Sequence, residues 1–357
     1  MPHPRILEIV RHFRENGLKI LLQNPGNARD LLSLSRTKLL DHIDFSRMSV
    51  DPTTYVASDY RHLASDLVLR APFRSRPGKR SSRTIVIYIL IEHQSEPDPL
   101  MVLRVLEYLV QIWKGQLRAW KRRHRSLKGF RLQPILPLVF YTGTQPWDDL
   151  GTLVDLVEMG DLFRDVIPDY RPLFISLPAV AAAEMESSAG YLGWILELVQ
   201  QREARPEEFA NLLSRVVDHL ETLPAQERMR WLELLSYLEA MIYHDRERSE
   251  HERLKEVVLA SVRTDEHRRE LQIMRQSMAD VHRQEALKEG REEGRREGAV
   301  LALRSALLRQ LRGRFGKVPK SVERTIAATD DVARLDSWLT RFAKANTLDE
   351  VGIESEQ

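Results

Sequence analysis

Ile85 to Ile91 is an unbroken run of seven apolar residues, five of them β-branched. A run this short, rich in β-branched side chains, reads as a strand buried on both faces at the centre of a sheet. It switches abruptly to Glu92-His93-Gln94. A carboxylate at the end of a central strand is costly to bury unless something pairs with it, and a metal ion is one such partner. Residues two apart on a strand face the same way, so Glu92 and Gln94 share a face and His93 takes the opposite one.

A second acid lies upstream. Ser65-Asp66-Leu67-Val68-Leu69-Arg70 reads as the start of a strand over 65–73, with Asp66 near its beginning. Between the two apolar stretches, residues 74–82 hold a Pro77-Gly78 turn surrounded by Arg and Lys, which predicts a hairpin onto a strand over 84–92. That hairpin places Asp66 beside Glu92, with Gln94 alongside, and two converging carboxylates make a hard-cation site for Mg²⁺ or Mn²⁺. The competing reading is a set of ion-paired acids at strand ends.

Asp66 followed by Glu92-x-Gln94 at the end of an apolar strand resembles the PD-(D/E)XK nuclease active site. Three segments resemble, more narrowly, the recombination-promoting nuclease (Rpn) or YhgA-like putative transposase family: Ile-Glu-His-Gln-Ser-Glu-Pro-Asp-Pro-Leu-Met at 91–101, Pro-Ile-Leu-Pro-Leu-Val-Phe-Tyr-Thr-Gly at 134–143 and Lys-Ile-Leu-Leu-Gln-Asn-Pro-Gly-Asn-Ala-Arg-Asp-Leu-Leu at 19–32. The resemblance implies an α/β, PD-(D/E)XK nuclease-like mixed sheet flanked by helices, followed by an all-α C-terminal half. It implies a Mg²⁺-dependent DNA endonuclease with Asp66, Glu92 and Gln94 as catalytic residues and Asp66 and Glu92 as metal ligands. Glu15 stands where the family carries a further acid on its first helix, and Lys19 where it carries a lysine. Two departures matter. Gln94 replaces the lysine of many relatives, and an amide orients water but neither takes a proton nor offers positive charge. Thr142 stands where the family usually has histidine after Tyr141.

Charge supports a polyanionic substrate. Residues 1–131 carry 24 Lys and Arg against 12 Asp and Glu, whereas the remainder carries 30 against 40, although the net charge is only +2. Lys114, Arg118, Lys121, Arg122, Arg123 and Arg125 follow one another with no acid from Val110 to Gln133. A charge run is usually a solvated face, but an uncompensated one just downstream of candidate metal ligands points to contacts with the DNA backbone. Asp98-Pro99 predicts a helix start, with Asp98 as N-cap, and Leu100, Leu103, Leu106, Val110, Trp113, Leu117 and Trp120 as the face lying on the sheet.

Elsewhere residues 8–44 read as mainly helical with a break at Asn24-Pro25-Gly26, and a helical stretch is expected near 149–165 between strands at 135–141 and 174–177. The expected organisation is a nuclease-like domain over 1–180, a helical extension over 181–244, a charged helix over 245–298 and a small helical module over 299–357. Residues 245–298 carry a weak coiled-coil pattern through which a homo-oligomer is expected to form. Gly290, Gly294 and Gly298 line one stripe of that helix, with a frayed linker as the equal alternative. The absence of cysteine excludes disulfides and thiolate chemistry. No apolar run approaches the roughly 20 residues that span a bilayer, so a cytoplasmic protein with no membrane partner is expected. A non-catalytic DNA-binding or assembly protein that keeps the nuclease fold is the second functional reading.

Overall fold

The computed structural model describes residues 4–51, 67–74 and 85–353. The apolar run at 85–91 is the centre of the sheet. Strand β1 (Ser49–Val50), β2 (Leu67–Phe73), β3 (Ile85–Gln94), β4 (Ile135–Tyr141) and β5 (Leu173–Ser176) form one five-stranded sheet in the order β1-β2-β3-β4-β5. The first three strands are antiparallel neighbours, and β3-β4-β5 are parallel, so the sheet is mixed. Parallel neighbours need a crossover connection, and helix α4 (Met101–Arg123) supplies it between β3 and β4. Ile87, Ile89 and Ile91 on one face and Tyr88 and Leu90 on the other are all buried, as expected of a strand covered on both sides. Pro137 lies just before the pairing with β5 begins at Leu138, on the part of β4 that lacks that neighbour.

β3 runs through Gln94, two residues beyond the expected strand, because Glu92, His93 and Gln94 all find partners on β4: Val139, Phe140 and Tyr141. α4 begins later than expected. Asp98 accepts from the amide of Leu100 at 2.8 Å as a loop cap, and Met101 is the first helical residue. Its buried stripe also differs from the expected one. Met101, Val102, Val105, Tyr108, Leu109 and Ile112 are buried, whereas Leu100 and Leu103 are exposed. The helix is apolar over a wide arc, so two stripes satisfy the same spacing, and the one chosen by the sheet contains Arg104 at its margin.

Between β4 and β5 the expected helix shrinks to α5 (Leu153–Leu156) and a 3-10 turn at Gly160–Phe163. Met159 takes a left-handed φ of 54°, which ends helical continuity there.

Ahead of the sheet stand α1 (Pro4–Arg11), α2 (Phe13–Leu22) and α3 (Pro25–Leu34). The break at Asn24 is a cap: its side chain accepts from the Gly26 amide at 3.0 Å, and Pro25 occupies the first turn. Behind the sheet, α6 (Ala182–Ser188), α7 (Gly190–Gln200), α8 (Pro206–Leu220), α9 (Arg228–Asp245) and α10 (His251–Ser261) form the helical half that was expected. Trp231, Leu234, Leu235, Leu238, Met241 and Ile242 of α9 are buried as a group.

A buried polar network ties the first helices to α9. Arg230 donates to Asn27 Oδ1 at 2.8 Å and to Glu227 Oε2 at 2.9 Å, and pairs with Asp30. Asp30 also accepts from the Leu192 amide at 3.1 Å. Gly26 is required here, since a Cβ would stand 2.6 Å from Arg230 Nη1. Asn24 Nδ2 adds a bond to Glu233 Oε2 at 2.8 Å. This network fixes α3, and Asn27 Nδ2 in turn donates to Leu21 O at 2.9 Å on α2, the helix that carries Lys19.

Helix α11 (Asp265–Phe315) is continuous through Gly290, Gly294 and Gly298, so that stripe is helical and no linker interrupts it. Compactness divides the chain into residues 1–278 and 279–357. In the second unit, Val300, Leu307 and Leu311 pack with Ile326 of α12 (Lys320–Ala328) and with Leu335 and Trp338 of α13 (Val332–Lys344). Among the described residues, no helix is long and apolar enough to cross a membrane.

Removing one partner of a buried ion pair typically destabilises by about 3–5 kcal/mol. Arg230→Met is therefore expected to lower the unfolding free energy by about that amount in urea titration, and a change below about 1 kcal/mol would refute the role given to the network.

Candidate active site

The end of β3 brings together a small, charged cluster. Glu92 is fully buried. Its Oε1 accepts from Gln94 Nε2 at 2.6 Å and from Arg104 Nη2 at 2.5 Å, while its Oε2 is buried with no hydrogen-bond partner. Arg104 reaches Glu92 from the second turn of α4, and its Nη1 donates to Asp98 Oδ2 at 2.6 Å. Lys19, on α2, is buried as well; its Nζ donates to Asn16 Oδ1 at 3.2 Å.

The electrostatics follow from burial. Desolvation pushes the Glu92 carboxyl above its ordinary range, against the pull of Arg104, Lys19 and the Gln94 amide. Burial lowers the Lys19 ammonium, with the charge of Glu92 opposing it. For Arg104, burial works against the charged form, but Glu92 and its other neighbours outweigh it and its pKa rises. Burial first, and then the charge of Glu92, raises the Tyr108 hydroxyl one helical turn after Arg104.

His93 faces away from this cluster, as the strand alternation predicts. Its Nε2 lies 2.8 Å from Thr142 Oγ1, and its ring meets Phe140 at 5.9 Å. Thr142 thus serves as the partner of a packed histidine. The Thr142 amide donates to Gln94 O at 2.9 Å, and Arg202 Nη1 donates to Thr142 O at 3.2 Å. Gly143 must be glycine, because a Cβ would stand 2.0 Å from the Ser95 carbonyl oxygen. Tyr141 is fully buried, donates to Gln145 O at 2.7 Å and packs edge-on against Trp147, so both aromatics are core.

Of the predicted site residues, Glu92 and Gln94 are in direct contact. Asp66 lies outside the described residues. Glu15 is on α2, with its side chain outside them. The described ladder ends at Leu67 opposite Ile91, one residue before the pair that the hairpin argument requires. Lys114, Arg118, Lys121, Arg122, Arg123 and Arg125 are exposed. The chain beyond α4 folds back on Trp120, which stacks on His124 at 3.8 Å and donates to Ser126 O at 2.8 Å, holding Arg125 near the helix end.

Arg104 is the residue that sequence reasoning missed. Its signal was present: it stands at helical spacing from Met101, Tyr108 and Ile112, a lone cation within an apolar stripe.

No group of three His, Asp or Glu side chains suited to a metal converges among the described residues. Glu92 Oε2 nevertheless is a buried carboxylate oxygen without a donor, the atom type that a hard divalent cation takes as ligand. In that respect the residues present fit such an ion.

A sequence model of the family described as "Putative transposase, YhgA-like" matches residues 15–230, more than half of the chain. The chain belongs to this family. Its curated relatives include the recombination-promoting nuclease RpnD of Escherichia coli O157:H7, 28% identical over 36% of this chain and 46% of that protein. RpnA of Escherichia coli K12, also named a recombination-promoting nuclease, is 26% identical over 36% of this chain and 39% of its own length. A third relative from the same strain, 24% identical over 56% of this chain and 60% of its own, is named an inactive recombination-promoting nuclease-like protein, RpnE. The chain spans less than two thirds of the length of each of these relatives. No solved structure matches it. This YhgA-like chain thus has relatives named nucleases and a relative named inactive.

The pKa of His93 is lowered to about 4 by burial, then by Lys19 and Arg202. Between that value and its ordinary 6.5 the unfolded chain binds the proton and the folded chain does not, so this histidine makes stability rise with pH across the window. Imidazole NMR is expected to show a His93 midpoint near 4; an ordinary midpoint would contradict the packed environment described for it.

Proposed function

We propose that this YhgA-like chain is a divalent-metal-dependent DNA endonuclease that hydrolyses phosphodiester bonds with Asp66 and Glu92 as metal ligands and Mg²⁺ or Mn²⁺ as the ion. The observation that carries the reading is Glu92: a carboxylate delivered by the central strand into a buried site, with one oxygen left unpartnered. Asp66, the residue before Leu67, supplies the second carboxylate in this proposal. When bound, the cation supplies an acidified water and positive charge opposite the phosphate.

The chain's own residues do the rest. Gln94 is fixed by its bond to Glu92, so its amide oxygen is placed to orient the attacking water. Lys19 supplies a buried positive charge that acts on Glu92, compensating for the lysine that Gln94 replaces. The basic end of α4 holds the DNA. Counting along the helix, Lys114 to Arg123 stand about 15–28 Å from Arg104, or four to eight base pairs of duplex. None of these six cations forms an ion pair with a described acid, which leaves them to phosphates. Cations at a helix C-terminus also complement its dipole, but Arg125, beyond the helix, gains nothing from that effect.

Two observations favour the second reading, a DNA binder without cutting activity. Glu92 already has a guanidinium partner in Arg104, and some relatives are named inactive.

Plasmid nicking with Mg²⁺ separates the two. Wild type is expected to nick, and Asp66→Asn and Glu92→Gln to lose on the order of a hundredfold or more in rate, as expected when a metal ligand is removed. Equal nicking by all three removes the assignment. A binder would show no nicking and no response to the metal, with a logarithmic salt slope near −5 for about six phosphate contacts.

A further inference from the structure

Three polar atoms in the cluster are buried with no hydrogen-bond partner among the described residues: Glu92 Oε2, Arg104 Nε and the Tyr108 hydroxyl. Buried polar atoms are seldom left this way in native proteins, and each calls for an explanation. Here they sit on adjoining elements, at the end of β3 and in the first turns of α4. Together they describe a place that something else completes.

Arg104 is held by two acids of different character. Glu92 is wholly buried, whereas the Asp98 side chain is 20% exposed and lies in the loop before α4. Asp98 is itself anchored, since its Oδ1 accepts from the Leu100 amide. A cation shared in this manner can leave the inner acid without becoming unpaired. Its outer tether remains, and the planar guanidinium can pivot about it. Glu92, in turn, keeps the charge of Lys19 nearby when Arg104 withdraws.

Resting on the nuclease reading above, we propose that Arg104 changes partners during the working cycle. In the resting protein it neutralises Glu92. A divalent cation held by the free Oε2 of Glu92 repels the guanidinium from Oε1 by its charge; Arg104 stays tethered to Asp98 and gives its freed Nη2 to a non-bridging oxygen of the scissile phosphate. No proton moves; one ion pair is exchanged for another. A guanidinium suits the task because it is charged at every working pH and its planar fork matches phosphate oxygens. Arg104 is therefore an internal competitor for the metal ligand and, once displaced, a catalytic residue. The same contact that stabilises the empty site becomes the means of gripping the substrate.

The account is tested on the full chain, with Mg²⁺ binding measured by calorimetry without DNA at about pH 8.5, where carboxylates are ionised. Arg104→Met is expected to bind Mg²⁺ about tenfold tighter than wild type, because a charged hydrogen bond no longer competes for Glu92. Asp98→Asn keeps the cap but weakens the tether, so Arg104 clings to Glu92 and Mg²⁺ affinity falls. A purely structural role would shift both variants in the same direction. With plasmid DNA and saturating Mg²⁺, Arg104→Met is expected to lose about a hundredfold in kcat with KM little changed, as when a transition-state donor is removed. Arg104→Lys, which retains the charge and should fold if Arg104→Met does not, is expected to show both shifts in smaller measure.

Mg²⁺ affinity unchanged or weakened in Arg104→Met and Arg104→Lys, or nicking at the wild-type rate, overturns the proposal. Failure of the nuclease reading is distinguishable, because wild type would then not nick at all or Glu92→Gln would nick as wild type does. If only the exchange is wrong, Glu92→Gln is inert while Arg104→Met cuts normally.

Discussion

Everything at the end of β3 follows from the burial of one carboxylate. An ionised acid removed from water is unstable unless other charges and donors replace its hydration. Glu92 has three such replacements from three directions: Arg104 from the crossover helix, Gln94 from its own strand and Lys19, through charge, from α2. Removing any one leaves a buried charge under-compensated, so strand, crossover helix and N-terminal helices are bound to one another electrostatically as well as by packing. The compensation is incomplete by one oxygen atom, Oε2, and it is this atom that the proposed reading gives to a metal ion.

The scaffold is arranged to make the burial hold. The apolar run of β3 fixes the position of Glu92 along the sheet, and the parallel pairing with β4 extends the strand far enough to place Gln94 on the same face. The loop from Ser95 to Leu100 is clamped on both sides: Thr142-Gly143 closes against Gln94 and Ser95, and Asp98 caps the approach to α4. On the other side, the Arg230 network joins α3 to α7 and α9 and so holds the N-terminal helices, Lys19 among their residues, against a rigid helical half. A site that depends on charge balance at short range requires such rigidity, since small displacements change its electrostatics.

Much of this was legible in the residues. The β-branched run announced a central strand, period-2 alternation separated Glu92 and Gln94 from His93, and the acid-free basic run marked an exposed helix end. Most of what was not legible shares one physical cause. Apolar spacing shows that a helix has a buried face but not which of two adjacent stripes it is when the apolar arc is wide. The stripe beginning at Leu100 satisfied the pattern as well as the true one, and choosing it placed Arg104 off the interface. Lys19 shows the same limit: its sequence position matched the family, but its burial beside Glu92 depends on long-range packing. The helical stretch expected near 149–165 failed differently. Its apolar residues suit a helix, but Met159 adopts a left-handed backbone, and a four-residue α-helix and a 3-10 turn form in its place.

The central claim is that the β3 carboxylate is a metal ligand in waiting. The most direct measurement is anomalous diffraction from crystals of the full chain soaked in Mn²⁺. The account predicts a peak within coordination distance of Glu92 Oε2, shared with the carboxyl group of Asp66. A map with no Mn²⁺ at Glu92, or with Asp66 out of reach of the same ion, would contradict it.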